Sequence, residues 1–190
     1  MNIGLYFGSF NPIHHGHLLI ASFIIQNSDL DQVWFIISPQ NPLKSSSTLL
    51  NEYHRLHLAN LAIDGENKLK ASDIEFKLPR PSFTVDTLAY LLEKYPQHGF
   101  ALIMGSDSLQ NLPKWKNFSY ILKHFPLYIY KRTGYETLPA YPGARIHLMD
   151  APLIQISSTH VRDNVKAGRS IRYLVPDGVR EEIERNGYYR

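Results

Sequence analysis

Residues 33–38 (VWFIIS), 100–105 (FALIMG) and 126–130 (PLYIY) are apolar at nearly every position. A strand with one face in water alternates apolar and polar side chains, so a strand without alternation must be covered on both faces. Residues 3–7 read as a further buried strand ending at Gly8, and 69–74 and 145–149 read as shorter ones. Helical signals lie between them. The run HLLIASFIIQ after Gly16 is apolar nearly all round and predicts a helix packed on both sides. Tyr53, Leu56, Asn60 and Ile63 mark a second helical period, and Val85, Leu88, Leu92 and Tyr95 a third. A short helix is predicted over 115–122, and two more over 158–166 and 177–185, the last two followed by Gly168 and Gly187 at C′ positions.

Buried strands alternating with helices imply a parallel sheet, and right-handed crossovers then cover both of its faces. The predicted class is α/β: a Rossmann-like, doubly wound parallel sheet with helices on both faces. In such sheets ligands bind outside the carboxyl ends of the strands. The chain of 190 residues suits a single domain spanning 1–190, and its 44% hydrophobic and 19% charged residues describe a globular core. With 20 Lys and Arg against 17 Asp and Glu, the charge is +3, enough to favour phosphates. No basic and aromatic stripe points to nucleic acid. The absence of cysteine removes disulfides, thiolate metal sites and a Cys nucleophile. Neither a signal peptide at the N-terminus nor a run of ~18 apolar residues is found, so the expected location is the cytoplasm, with no membrane partner. A homo-oligomer remains open.

Two segments on the predicted ligand-binding rim carry chemistry. Gly8-Ser9-Phe10-Asn11-Pro12-Ile13-His14-His15-Gly16-His17 follows the first strand, and Asn11-Pro12 delays the helix until about residues 13–16. The histidines then fall in a first helical turn, where free N–H groups and the dipole favour an anion. His14 and His17 share a face, whereas His15 points elsewhere. A metal site is one rival, although no carboxylate or third histidine stands at ligand spacing. A general base is another, with Ser9 the nearby hydroxyl. Ile156-Ser157-Ser158-Thr159-His160-Val161-Arg162 opens a later helix with hydroxyls and a guanidinium. Alone it is a plain N-cap; paired with the first segment it describes a cradle for a polyphosphate. Gly105-Ser106-Asp107-Ser108 ends the 100–105 strand on the same rim.

These segments resemble the G-[ST]-F-[DN]-P-x-H-x-G-H and I-S-[ST]-T-x-[IV]-R signatures of the nucleotidylyltransferase superfamily. Within it the chain is most similar, over its whole length, to the bacterial nicotinate-nucleotide adenylyltransferases. Pro81-Ser82-Phe83-Thr84-Val85-Asp86-Thr87-Leu88 resembles their P-S-[YF]-T-x-x-T-L. Gly105-Ser106-Asp107-Ser108-Leu109 with Trp115 resembles G-x-D-S-L…W, and Tyr173-Leu174-Val175-Pro176 resembles their C-terminal Y-L-[LV]-P.

The resemblance implies adenylyl transfer from ATP to nicotinate mononucleotide, giving deamido-NAD and pyrophosphate. It places Gly8, Ser9, Phe10, His14, His17, Gly105, Asp107, Ile156, Ser157, Ser158 and Arg162 around ATP, with His14, His17 and Arg162 catalytic. Thr84 and Trp115, with Lys44 and Arg132, are assigned to the acceptor. Mg²⁺ is expected with ATP and no protein-built metal site. Two departures stand out. Asn11 replaces a frequent Asp, and residues 38–44 follow the usual P-x-x-x-P-P-H-[KR] loop only in part. An adenylyltransferase for nicotinamide mononucleotide or pantetheine phosphate would share both cradles. A non-catalytic nucleotide-binding module and a zinc hydrolase are the rivals of other classes.

Overall fold

A computed structural model describes residues 1–40, 48–135 and 137–190. Six strands form one sheet: β1 (Asn2–Gly8), β2 (Gln32–Ile37), β3 (Leu69–Ser72), β4 (Gly99–Gly105), β5 (Leu127–Tyr130) and β6 (Ile146–Met149). Their order is β3-β2-β1-β4-β5-β6, and every neighbouring pair is parallel. The chain builds outward from β1 to β3, then crosses back to lay β4 against the other edge of β1. That reversal is the reason β1 and β4 are neighbours, with Leu5 opposite Leu102.

Both faces of the sheet are buried, as the non-alternating runs require. Tyr6, Val33, Phe35, Ala101, Ile103 and Tyr128 point into one core, and Ile3, Leu5, Trp34, Leu102 and Ile129 into the other. The first core is closed by α1 (His15–Gln26), α2 (Glu52–Ala62), α6 (Ser158–Lys166) and α7 (Asp177–Asn186). The second is closed by α3 (Thr84–Lys94), α4 (Ser106–Asn111) and α5 (Phe118–His124). Gly168 and Gly187 both take the left-handed conformation just past α6 and α7, the C-terminal stops that the sequence placed there.

Several elements differ from expectation for local reasons. α1 is not packed on both sides: it buries Gly16, Ala21 and Ile24 and leaves Leu19 exposed. α2 turns a different face inward than its apolar period suggests. Tyr53 and Asn60 are exposed, and the buried side is Arg55, Leu58 and Ala59. β3 stops at Ser72 because the chain enters a 3-10 turn over Ile74–Lys77. The predicted 115–122 helix begins only at Phe118. Pro113 sits in a 3-10 turn that Trp115 closes by donating its N–H to Leu112 O at 2.9 Å. Asn117 then adopts a left-handed conformation, which Asn tolerates, and this restarts the chain as α5. α4 is a helix of 6 residues, too short to leave a periodic signal in the sequence. Among the described residues no helix is long and apolar enough to cross a membrane.

Candidate active site

Where the order of a parallel sheet reverses, the loops after the two central strands leave in opposite directions and open a crevice. Here that point is Gly8 at the end of β1 and Gly105 at the end of β4. A cleft of about 1120 Å³ opens above it. It brings together Gly8, Ser9, Phe10, His14, His17, Thr84, Gly105, Asp107, Trp115, Arg132, Ile156, Ser157, Ser158 and Arg162. Those are all the residues singled out from the sequence except Lys44, which lies outside the described residues. His15 does not line the cleft; its N–H holds Leu174 O at 3.0 Å.

The turn after β1 is not made by glycine freedom. Gly8 is the last residue of the strand, and the left-handed residue is Phe10, at φ 45. A bulky side chain in that region is strained and is held there by its surroundings. The Phe10 ring is buried and packs edge-on against Phe35 at 5.3 Å, Tyr6 at 5.7 Å and His17 at 5.0 Å. Gly8 is needed beneath it, since a Cβ there would lie 2.9 Å from that ring.

His14 caps α1 and His17 stands one turn in, with rings stacked 3.7 Å apart and 21° from parallel. The His14 N–H donates to His17 Nδ1 at 3.3 Å. An accepting Nδ1 assigns the His17 proton to Nε2. His14 is 4% exposed, and burial, then the nearby Arg132 and His15, lower its pKa to about 4. It is therefore neutral at pH 7, and its buried Nδ1 has no partner among the described residues. Gly16 leaves room for this pair, because a Cβ would sit 3.0 Å from His14 Nδ1.

The second cradle is bonded onto the first. Ser158 Oγ donates to Pro12 O at 2.8 Å, and Arg162 Nη1 donates to Asn11 O at 2.8 Å. Ser157 caps α6 by accepting the His160 N–H at 3.1 Å, so the N-cap reading of that hydroxyl is correct. Asn11 is buried, with Nδ2 donating to Thr48 O at 2.9 Å and Oδ1 accepting the Leu50 N–H at 3.1 Å. An Asp could not make the first of these bonds.

On the β4 side, Asp107 accepts from Arg132 Nη1 at 3.0 Å, and Ser106 Oγ accepts the Arg132 N–H at 2.9 Å. Arg132 thus belongs with Asp107 and Gly105 at the ends of β5 and β4. A Cβ on Gly105 would collide with Asp107 Oδ1 and lie 2.7 Å from Arg132 Cδ. Thr84 opens α3 and lines the same cleft. Trp115 lines the cleft from an extended residue and packs partly into the second core. Beside it Lys116 pairs with Asp86 at 2.9 Å and lies 5.0 Å over the Phe83 ring.

Two buried ionisable side chains near the cleft escaped the sequence reading. Arg55 is 0% exposed and donates to four backbone carbonyls: Leu50 at 2.8 Å, Ser9 at 2.5 Å, Ser38 at 2.8 Å and Pro39 at 3.0 Å. Its place beside Leu58 and Ala59 on one helical face was the available signal. Glu75 is 2% exposed on the cleft wall, and nothing in its neighbours marks it. Tyr6 and Tyr130, with hydroxyls 3.0 Å apart, add an aromatic floor. Among the described residues no group of three or more His, Asp or Glu side chains could hold a metal ion.

The cytidylyltransferase-like family matches residues 5–164. A probable nicotinate-nucleotide adenylyltransferase of Flavobacterium psychrophilum is 50% identical over the whole of both chains. One of Cytophaga hutchinsonii is 49% identical, over 100% of this chain and 98% of its own. Among solved structures, the fold is shared with a nicotinic acid mononucleotide adenylyltransferase of Plasmodium falciparum complexed with NaAD. The TM-score is 0.81 at 20% identity, covering 99% of this chain and 97% of that one.

Proposed function

The chain belongs to the nicotinate-nucleotide adenylyltransferases of the cytidylyltransferase-like family, and we propose that it joins ATP to nicotinate mononucleotide, releasing pyrophosphate, in the synthesis of NAD. The bond that forms runs from a 5′-phosphate oxygen of the mononucleotide to the α-phosphorus of ATP. The bond that breaks joins that phosphorus to the bridging oxygen of the leaving pyrophosphate. The nucleophile is already an anion, so no enzyme nucleophile or base is required, and what remains is alignment and stabilisation of charge.

One observation carries this reading: the stacked His14–His17 pair, set at the start of α1 beside the α6 N-terminus that is bonded to residues 11 and 12. His17 with its proton on Nε2 is a hydrogen-bond donor for phosphate oxygens, and neutral His14 keeps a proton to donate. Arg162 and the first amides of α6 supply further donors to the β and γ end. Gly105 and Asp107 border the nucleotide, and Thr84 and Trp115 border the acceptor, with the indole as a stacking face for the pyridine. Asp107 holds Arg132 through Oδ2 and has Oδ1 without a partner among the described residues; Mg²⁺ would arrive with ATP, held mainly by phosphate oxygens and water. When bound it would neutralise charge on the triphosphate. The reading places the enzyme in the cytoplasm.

Pyrophosphate release from ATP, with nicotinate mononucleotide, nicotinamide mononucleotide and phosphopantetheine supplied separately, tests it. Release with the first is expected, and none with the first overturns the proposal. In the same assay His17→Ala should lower kcat by ~10²-fold, as for other removed transition-state donors, with the fold retained by circular dichroism. Near-normal turnover would end its role as a donor.

A further inference from the structure

Glu75 lies in the 3-10 turn after β3, 2% exposed, and faces the wall of the cleft that holds Thr84. Its two carboxyl oxygens accept from different residues of the α3 region, and the Ser38 side chain hydrogen-bonds the same carboxyl. Oε1 accepts from Thr87 Oγ1 at 2.8 Å, and Oε2 accepts from Ser82 Oγ at 2.9 Å. Ser82 lies just before α3 and Thr87 in its first turn, so one buried carboxyl clasps the chain on both sides of Phe83 and Thr84. Thr87 is itself fully buried, which leaves its hydroxyl no water as an alternative.

The clasp fixes a particular piece of backbone. The N–H groups of Asp86 and Thr87 close onto Phe83 O at 2.9 and 3.1 Å. Those of Thr84 and Val85 precede the helical ladder and have no carbonyl four residues back to meet. Their direction is set by where the segment 82–87 is held, and Glu75 holds it. Burial of a carboxyl is unfavourable unless hydrogen bonds compensate, so a side chain retained here needs its hydroxyl donors as much as they need it.

We propose that Glu75 is a positioning residue for the acceptor: its hydrogen bonds to Ser82 and Thr87 aim the start of α3 at the anionic pyridine nucleotide. The inference rests on the function proposed above. It separates the two substrates, because the ATP elements at residues 8–17, 105–107 and 156–162 make no direct hydrogen bond to Glu75 among the described residues, and Ser38, which does, meets Gly8 only through its backbone N–H.

The test is steady-state kinetics on the full chain with each substrate varied in turn. Glu75→Gln keeps the shape but replaces one acceptor oxygen by a donor. It should raise KM for nicotinate mononucleotide about tenfold, the weight of about one buried hydrogen bond lost. KM for ATP should stay within about twofold. Thr87→Val removes one of the same bonds without changing volume and should move KM in the same direction, while Thr87→Ser, which keeps the hydroxyl, should not. A merely structural role would lower the active fraction and leave both KM values alone. The inference is overturned if KM for the mononucleotide is unchanged, or if both KM values rise together. Should Glu75→Gln fail to fold, the Thr87 pair decides between the same outcomes. Failure of the wild-type chain to use nicotinate mononucleotide would instead overturn the function itself.

Discussion

At the N-cap of α1, a proton added to His14 would place charge on a ring that is 4% exposed, stacked on His17 and near Arg132 and His15. Burial is the largest cause of its low pKa, about 4 against an unfolded 6.5. Between those values the unfolded chain binds more protons than the folded one, so stability rises with pH across that window. The contribution is fully present above pH 6.5 and is lost as pH falls toward 4. A shift of this size corresponds to on the order of 3 kcal/mol. Denaturant midpoints measured from pH 7 to pH 4 should therefore fall more steeply for the wild type than for His14→Gln, which has nothing to titrate there. Parallel pH profiles would mean that the ring is hydrated in solution. Asn11 shows a complementary choice at the same scale, since a neutral amide can both donate to Thr48 O and accept from Leu50.

Arg55 acts between elements. From α2 it reaches the carbonyl of Ser9 after β1 and those of Ser38 and Pro39 after β2, along with Leu50 O just before its own helix. One guanidinium thus fixes the carboxyl ends of two strands at the cleft, using the planar fork that distinguishes Arg from Lys. Arg55→Met would leave buried carbonyls without donors and should lower the melting temperature by about 5–15 °C. Arg55→Lys, with one compact ammonium, should recover part of that loss and still raise KM for ATP. Thermal melts followed by circular dichroism decide it, and a drop under about 2 °C for Arg55→Met would show that water satisfies those carbonyls. The residue illustrates where the sequence stops being legible. Strand runs such as 100–105 declare burial by composition, and Gly168 and Gly187 declare helix ends. Buried Glu75 reads like a solvated one, and only its place beside Leu58 and Ala59 distinguishes Arg55, because the partners of both are carbonyls and hydroxyls brought in by folding. The inward face of α2 and the shift of α5 to Phe118 were hidden for related reasons: a polar residue sits on the core side of the first, and a left-handed Asn117 precedes the second.

Across the whole molecule, the strand order does what no local motif can. The parallel, doubly wound class followed from apolar runs, but β1 beside β4 depends on a crossover that leaves no trace in composition. It brings Gly8 next to Gly105, and it lets α6 bond to residues 11 and 12 across more than 140 positions of chain. Both signatures were legible, whereas the hydrogen bonds that make them one cradle were not. A nucleotide spanning this cleft ties together elements from both halves of the sheet, so it should stabilise the fold as a whole. At about 100 times Kd, ATP with Mg²⁺ should raise the melting temperature by about 5–10 °C. The cation's place can be read from the same melts. If Mg²⁺ is held by the phosphates, a chelator should leave the nucleotide-free protein unchanged, diminish the shift given by ATP and stop pyrophosphate release. A chelator that lowers the melting temperature without nucleotide would instead reveal a cation site built by the protein, and the assignment of Mg²⁺ to the substrate would be wrong.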